Sequence, residues 1–432
     1  MDQTNTPKLH KLALACGIAL AFSAQQAAAS GFAVPELSVS GMAQSNAVVA
    51  NHKDLGAIAY NPAAMAFHEG GAVSLGGLLV KPNLSVTTGN GSFNSESNDI
   101  VAVPAISAHY QMSEDWSIGL SVNAPFGLET DWLPETYAAS ASNPGGYPLG
   151  ETMPTNTKLE IVAFSPSVSY RINDNFSVAG GIDLYWMKEV LFNASVNDGG
   201  AAYPAVEIEG DGRGAGLNIS GLYVMNNWSF GGSFHSAAKI PIDGTIALPP
   251  GSPVPGFASN NVVAELEVPY RLQIGVRNQT TEKLALELDI TRTGWSSFDT
   301  LVVDNKELSF LNYVSSENKW KDVNAYRFGA SYDLTGKTQL RAGYTFDETP
   351  QGDDYFSPRV PDADRHLFSF GAGHQLGDGW SIDAGYMYVQ FQDRTPTATT
   401  HANGETNGTS AVVGDYESSV HLFGFGVNKT FM

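Results

Sequence analysis

Uninterrupted alternation of apolar and polar residues is the feature that most restricts how this chain can fold. From Phe176, the residues Phe176, Val178, Gly180, Ile182, Leu184 and Trp186 fall on one face, opposite Ser177, Ala179, Gly181 and Asp183. Tyr270, Leu272, Ile274 and Val276 alternate with Arg271, Gln273, Gly275 and Arg277, and Leu284, Leu286, Leu288 and Ile290 with Ala285, Glu287, Asp289 and Thr291. The runs from Gln339 to Phe346 and from Trp380 to Tyr388 repeat the pattern. Period two is the strand signal, and a tilted strand crosses a bilayer in about 9–11 residues.

The connections alternate too, in length. "MSEDW", "INDNF", "MNNW", "QTTEK", "LTGK" and "LGDGW" are turn-sized, whereas "GLETDWLPETYAASASNPGGYPLGE" and "DRTPTATTHANGETNGTSAVVGD" are long and polar or rich in Pro and Gly. Short turns on one side and long loops on the other are the layout of an outer-membrane barrel. "WSIGL", "FSVAG", "WSFGG" and "WSIDAG" follow short turns and predict an aromatic girdle at the inner interface. Counting hairpins predicts an all-β fold, a 14-stranded antiparallel transmembrane β-barrel. Its strands start near Gly71, Asp99, Trp116, Asn156, Phe176, Gly212, Trp228, Asn261, Lys283, Lys319, Thr338, Asp362, Trp380 and Asp415. The last, "HLFGFGVNKTFM", resembles the aromatic ending of chains handled by the barrel assembly machinery. A secreted β-sandwich or propeller would alternate as well, but it leaves the asymmetry of turns and loops unexplained.

Residues 1–29 read as a signal peptide: Lys8 and Lys11, an apolar stretch from Leu12 to Phe22, and the small residues Ala27, Ala28 and Ala29 before a cut. Cys16 lies inside the apolar stretch, with too little apolar sequence before it for a lipoprotein. The mature chain then has no cysteine and no disulfide. Beyond the signal no apolar stretch reaches the ~18 residues of a transmembrane helix. A net charge of −21 argues against nucleic acid as a partner.

Residues 30–70 precede the first strand and fit neither a good helix nor a good strand. They are rich in Gly, Ala and Ser, nearly uncharged, and carry Phe32, Val34, Leu37, Ile58, Met65 and Phe67. A disordered tail has no need of those apolar residues. Small residues suit close packing against a barrel wall, and the Asn61-Pro62 step sets a turn. The expectation is an N-terminal hatch (30–70) plugging the lumen of a barrel (71–432). Asp183, Arg271, Arg277, Glu287, Asp289, Arg327 and Arg341 should point inward, since charge facing lipid is expensive.

In order along the chain, "SGFAVPELSVSGMAQ", "YNPAAM", "NAPFGLETDW", "HSAAKIPIDGT", "ITRTGWSSFDTL", "KWKDVNAYRFGASYDLTGKTQLRAGYTFDETP", "VPDADRHLFSFGAGHQL" and "WSIDAGYMYVQ" carry a resemblance. The sequence resembles the FadL/TodX family, outer-membrane transporters of long-chain fatty acids and aromatic hydrocarbons. The resemblance implies passive uptake of a long-chain fatty acid or other hydrophobic molecule in the outer membrane of a Gram-negative bacterium. The hatch gates the lumen, and the substrate leaves sideways into the bilayer where the third strand is kinked. Asn123, Pro125 and Gly127 are the candidates for that break, because Pro removes a ladder donor and Gly permits a bend. The alternative is that Pro125 ends the strand as the outer loop begins. Phe32 matches the aromatic that the hatch presents to a substrate pocket, and Lys188 and Lys321 match basic positions near it. Asn61, Pro62 and Ala63 match a structural hatch triplet. The implied partners are outer-membrane lipid and lipopolysaccharide, and the implied state is a monomer.

No catalytic, phosphate-binding or metal-binding motif stands out, so the reading is a non-enzyme without cofactor or metal. "GDGRGAG", Gly210–Gly216, misses the dinucleotide spacing and reads as loop. A general porin or adhesin on the same barrel, and a lipase assembled from distant strands, remain as other readings. The acidic loops are candidates for divalent cations.

Overall fold

The computed structural model describes residues 30–137, 153–198, 201–247, 259–305, 313–396 and 413–431. The expected signal peptide, with Cys16, lies outside them. The strands form one antiparallel sheet closed on itself as a fourteen-strand barrel. In chain order these are β1 (Gly71–Thr88), β2 (Val101–Gln111), β3 (Trp116–Asp131), β4 (Met153–Asn173), β5 (Phe176–Asp198) and β6 (Ala201–Met225). Four strands follow that are each interrupted midway: β7 (Trp228–His235 and Ala238–Ala247), β8 (Asn260–Val268 and Arg271–Gln279), β9 (Leu284–Thr293 and Thr300–Asp304) and β10 (Tyr313–Glu317 and Val323–Asp333). β11 (Thr338–Asp347), β12 (Arg365–Gly377), β13 (Trp380–Phe391) and β14 (Asp415–Phe431) complete the wall. β14 pairs back onto β1 from Gly71↔Phe431 to Thr87↔Asp415, which closes the sheet. A short strand, Gly91–Asn94, folds onto the far end of β1.

The alternation sorts as expected. Leu272, Ile274, Leu288, Ile290, Phe423 and Phe425 stand exposed on the outer face, where an apolar band meets lipid. Trp116, Tyr170, Tyr223, Trp228, Tyr332, Trp380 and Phe431 are exposed beside the short turns and form the inner girdle. Two strand starts differ from expectation: β6 begins at Ala201 rather than Gly212, and β10 at Tyr313 rather than Lys319. Gly210–Gly216 is therefore strand, not loop. Its glycines let β6 lie close under β7, since a Cβ on Gly210 would stand 2.9 Å from the Asp243 carbonyl oxygen.

Residues 30–70 run through the lumen. The segment is built from an α-helical turn, Val39–Met42, and two 3-10 turns, Leu55–Ala59 and Pro62–Phe67. Each is opened by its own cap: Gly41 N donates to Ser38 Oγ, Gly56 N to Asp54 Oδ1, and Ala63 N to Asn61 Oδ1. These local caps hold a segment too short-patterned for a helix or strand of its own. Tyr60 ties it together, accepting from Leu37 N (2.9 Å) and donating to Asn46 Oδ1 (2.7 Å). Burial pushes the Tyr60 hydroxyl above its ordinary range and the Glu36 carboxyl likewise upward.

The polar wall grips this segment. Glu287 accepts from Ala50 N (2.7 Å), Asp289 from Val49 N (3.1 Å), and Arg327 Nη1 and Thr345 Oγ1 donate to Ser45 O (3.3 and 2.9 Å). Arg341 reaches both Asp54 of the segment and Asp383 of the wall. Arg277 pairs with Glu287 at 3.2 Å. Such pairing keeps buried charge from being stranded. Glycines on the inner wall meet the small residues of the segment: a Cβ on Gly329 would stand 2.9 Å from Ala47 O, and one on Gly343 2.6 Å from Ser45 N. Both surfaces are pared to backbone, which is what lets irregular chain fill the lumen with its hydrogen bonds met.

Candidate functional site

The interruptions in β8, β9 and β10 build the site. Where β9 breaks, a 3-10 turn Trp295–Ser297 carries Trp295 inward; where β10 breaks, Trp320 turns in beside it. With Phe298 and Phe126 they cage Phe32. Its ring lies 4.6 Å from Trp295, 5.4 Å from Phe298, 5.8 Å from Trp320 and 6.1 Å from Phe126, mostly edge to face. Phe32 lies within an apolar cluster that includes Leu128, Leu159, Ile161, Ile242, Leu266 and Val360.

Gly31 positions it. Gly31 has φ +67°, donates to Asp362 Oδ2 at 3.0 Å, and has the Trp295 ring 2.9 Å from where a Cβ would be. Burial lifts the Asp362 carboxyl to about 6 despite the charge of Arg365. Gly31→Ala should therefore meet both backbone strain and a clash, of about 1–3 kcal/mol together. Its expected signature is a red shift in the fluorescence of Trp295 and Trp320 as Phe32 leaves the cage. An unshifted spectrum would mean that the cage does not depend on this backbone turn.

Beside the cage opens an apolar slot of about 640 Å³ counted out to its mouth, lined by Phe32, Leu128, Leu159, Val190, Phe298 and Trp320. Its free volume is only about 70 Å³, so the aromatic rings nearly close it. Of the two cations in its wall, Lys158 pairs with Glu189 at 2.7 Å, whereas Arg359 has no counter-charge among the described residues. Arg359 is 6% exposed; its Nη1 donates to Thr157 Oγ1 and Asn193 O, both at 3.0 Å, and the guanidinium lies 3.7 Å over the Phe192 ring. Burial alone pulls its pKa down to about 9, which leaves it cationic at neutral pH. Among the described residues, Arg359 Nε, Trp295 Nε1 and Trp320 Nε1 are buried donors with no acceptor. Two of them, on Arg359 and Trp320, belong to residues that line the slot, which suits a ligand that brings an acceptor.

The other candidate residues fall as follows. Lys188 Nζ pairs with Glu160 (3.1 and 3.3 Å) and sits where β5 bulges, between the Ile161↔Met187 and Glu160↔Glu189 pairs. Lys321 is exposed, and neither lysine lines the slot. Arg359 was not singled out by sequence: in "SPRVPD" it is one basic residue between prolines, with no periodic signal. The two tryptophans lie in the quoted stretches "TGWSSF" and "KWKD", where Trp320 turns inward and its neighbor Lys321 outward. Asn61 donates to Val49 O (2.7 Å) and Gly221 O (3.1 Å) and caps Pro62–Phe67, while Ala63 N and O bond Ser220 and Ser177.

At Asn123 the regular pairing of the wall is interrupted. The β2–β3 ladder ends at Ala105↔Asn123, and β3 shifts register against β4 between Asn123 and Phe126. The strand does not end there but runs on to Asp131. Asn123–Leu128 are all buried, so alternation is lost. The freed edge is taken by the N-terminal segment: Val34 N donates to Pro125 O (2.8 Å) and Gly127 N to Phe32 O (2.9 Å), around an Ala33↔Phe126 bridge. A residue without an N–H and a departing neighbor strand together leave this gap.

Comparison with known proteins agrees with this architecture. Residues 20–431 match the model of the family described as outer membrane protein transport protein (OMPP1/FadL/TodX). The 47 kDa outer membrane protein of Pasteurella multocida is 27% identical, over 87% of this chain and 91% of that protein. A long-chain fatty acid transport protein of Escherichia coli is 24% identical, over 96% and 98%. Among solved structures, a Pseudomonas aeruginosa FadL homologue superposes with TM-score 0.77 at 20% identity, covering 93% of this chain and 100% of that one. The Pseudomonas putida toluene transporter TodX gives TM-score 0.68 at 16% identity, covering 93% and 99%. With its family match spanning nearly the whole length and its closed fourteen-strand wall, the chain belongs to the FadL/TodX family of outer-membrane transporters of fatty acids or hydrophobic aromatics.

Proposed function

We propose that this protein takes up long-chain fatty acids passively, with residues 30–70 as the hatch of a barrel formed by 71–432. The acyl chain enters the slot beside Phe32, its carboxylate meets Arg359, and it leaves into the bilayer at Asn123–Gly127. The observation that carries this reading is the buried guanidinium of Arg359, without a carboxylate partner among the described residues, in a largely apolar slot whose other cation, Lys158, is paired with Glu189. A charge-assisted pair there would offset its desolvation and fill an orphaned donor. Release into lipid is downhill, since each buried CH₂ is worth about 0.8 kcal/mol. No covalent chemistry and no cofactor enter the scheme.

Uptake of labelled oleate by a Gram-negative host lacking its own importer tests it. Restored uptake is expected. Arg359→Gln should weaken oleate binding by about 10–100-fold, the worth of a charge-assisted bond, and leave binding of a neutral hydrocarbon unchanged. The aromatic cage supports a second reading, uptake of aromatic hydrocarbons by the same route. Toluene uptake without oleate uptake, and indifference to Arg359→Gln, would favor it over the first.

A further inference from the structure

A second cation faces a different cavity. Behind Phe126, on the other side of the aromatic cage, a small chamber lies between Leu37 of the hatch, the break at Asn123 and Pro125, and the inner wall at Arg271. Its free volume is about 20 Å³, room for about one water. That is the scale of a head group and far below that of an acyl tail.

Arg271 is the odd member of the lumenal arginines. Arg277 has Glu287 and Ser331, Arg327 has Thr291, Thr345 and Ser45 O, Arg341 has Asp54 and Asp383, and Arg365 has Asp347. The half-buried Arg271 makes no side-chain hydrogen bond or ion pair among the described residues. The nearby carboxylate is already committed. Asp183 Oδ1 accepts from Ser165 Oγ (2.7 Å) and Asn218 Nδ2 (2.8 Å), and Asp183 Oδ2 meets His235 Nδ1 at 2.6 Å. Arg271 follows the Pro269–Tyr270 interruption of β8, which turns its side chain onto the chamber. A guanidinium facing this small polar chamber with its donors open, beside an Asp183 carboxylate already saturated by Ser165, Asn218 and His235, matches a planar monoanion, which it can grip with two parallel bonds.

We infer that Arg271 is a second carboxylate station, at the threshold of the lateral gap. This rests on the uptake of acids proposed above and adds a step to it. The head group held at Arg359 passes the Phe32–Phe126 contact when the hatch shifts and is caught at Arg271. There the tail already faces the opening beside Pro125, so release need not carry the charge through an apolar wall unescorted. Arg359 governs binding, Arg271 the rate of departure.

Arg271→Gln, Arg271→Lys and Arg359→Gln test this with oleate and, as the uncharged analog, oleyl alcohol. The purified proteins are titrated with each ligand, and cells expressing them are assayed for uptake. Arg271→Gln should keep its oleate affinity within about twofold of the parent's, by separateness of the two sites. Its oleate uptake should fall by about tenfold, the worth of one pair near 1.4 kcal/mol, with oleyl alcohol uptake unchanged and with partial rescue in Arg271→Lys. Oleate uptake equal to the parent's in Arg271→Gln would overturn the inference while leaving the parent reading intact. An equal loss for acid and alcohol would also overturn it, as the mark of a merely structural residue. If Arg359→Gln binds oleate normally, the parent reading fails on its own evidence; if the parent protein takes up no oleate, both fall.

Discussion

Deleting Ser30–Phe67 should turn a sealed barrel into an ion-conducting pore. In the intact chain residues 30–70 occupy the lumen, with Met42, Ala43, Ala47, Ala50, Ala63 and Met65 fully buried, and we propose that they act as its hatch. The wall that would be uncovered is polar and charged, carrying Asp183, Arg277, Glu287, Asp289, Arg327 and Arg341. Water would replace the hatch's N–H and C=O partners of Glu287, Asp289 and Arg327, so the wall's own ladders, which include the β14–β1 closure, persist. Planar-bilayer recordings should show conductance at least about tenfold above the intact protein, as expected of an unplugged barrel of this strand number. Heat-modifiable migration on gels checks that the variant is folded. A folded variant that conducts no better than the parent would remove the hatch from the scheme.

Locking the hatch to the wall should have the opposite effect and stop transport. Ala33 and Phe126 lie directly opposite, flanked by the bonds Val34 N to Pro125 O and Gly127 N to Phe32 O. That is a non-hydrogen-bonded antiparallel pair, whose Cα atoms lie about 4.5 Å apart, inside the roughly 4.4–6.8 Å that a disulfide spans. The only natural cysteine, Cys16, falls in the expected signal peptide, so an introduced pair has no competitor. With Ala33→Cys and Phe126→Cys oxidized, oleate uptake should drop by about tenfold or more, because closing and opening steps commonly set such rates. Reductant should restore it to the level of the same variant kept reduced, which separates the lock from the loss of the Phe126 ring. Transport undiminished by oxidation would mean that the substrate passes without this contact opening.

Much of the molecule was legible from the chain alone, for a physical reason. Lipid outside and a packed lumen inside impose opposite chemistry on successive side chains, so the barrel is written as a period of two. Turn size on one side and loop length on the other then mark the hairpins, and strand starts such as Trp116, Phe176, Trp228 and Trp380 emerge where expected. At Asn123–Phe126 the sequence left two readings open, a break or the end of the strand, because Pro125 fails to donate to a ladder in either; the register shift within a continuing strand came from the structure. The inward charges were legible because lipid would not take them.

The pairing of those charges was not. Lys188 meets Glu160 where β5 bulges, and a bulge is an insertion that alternation cannot announce. Arg359, Trp295 and Trp320 come together from two strand interruptions and an outer loop distant in sequence, and no local pattern links them. The glycines facing the hatch were visible as small residues on polar faces, yet their partner was not. By itself, then, the sequence determined the closed wall, the inward charges and the presence of a loose, apolar segment in front of it, because each follows from the solvent on either side of a strand. Only the tertiary structure decided which cations are neutralized and which are left open, because that depends on distances between residues far apart along the chain.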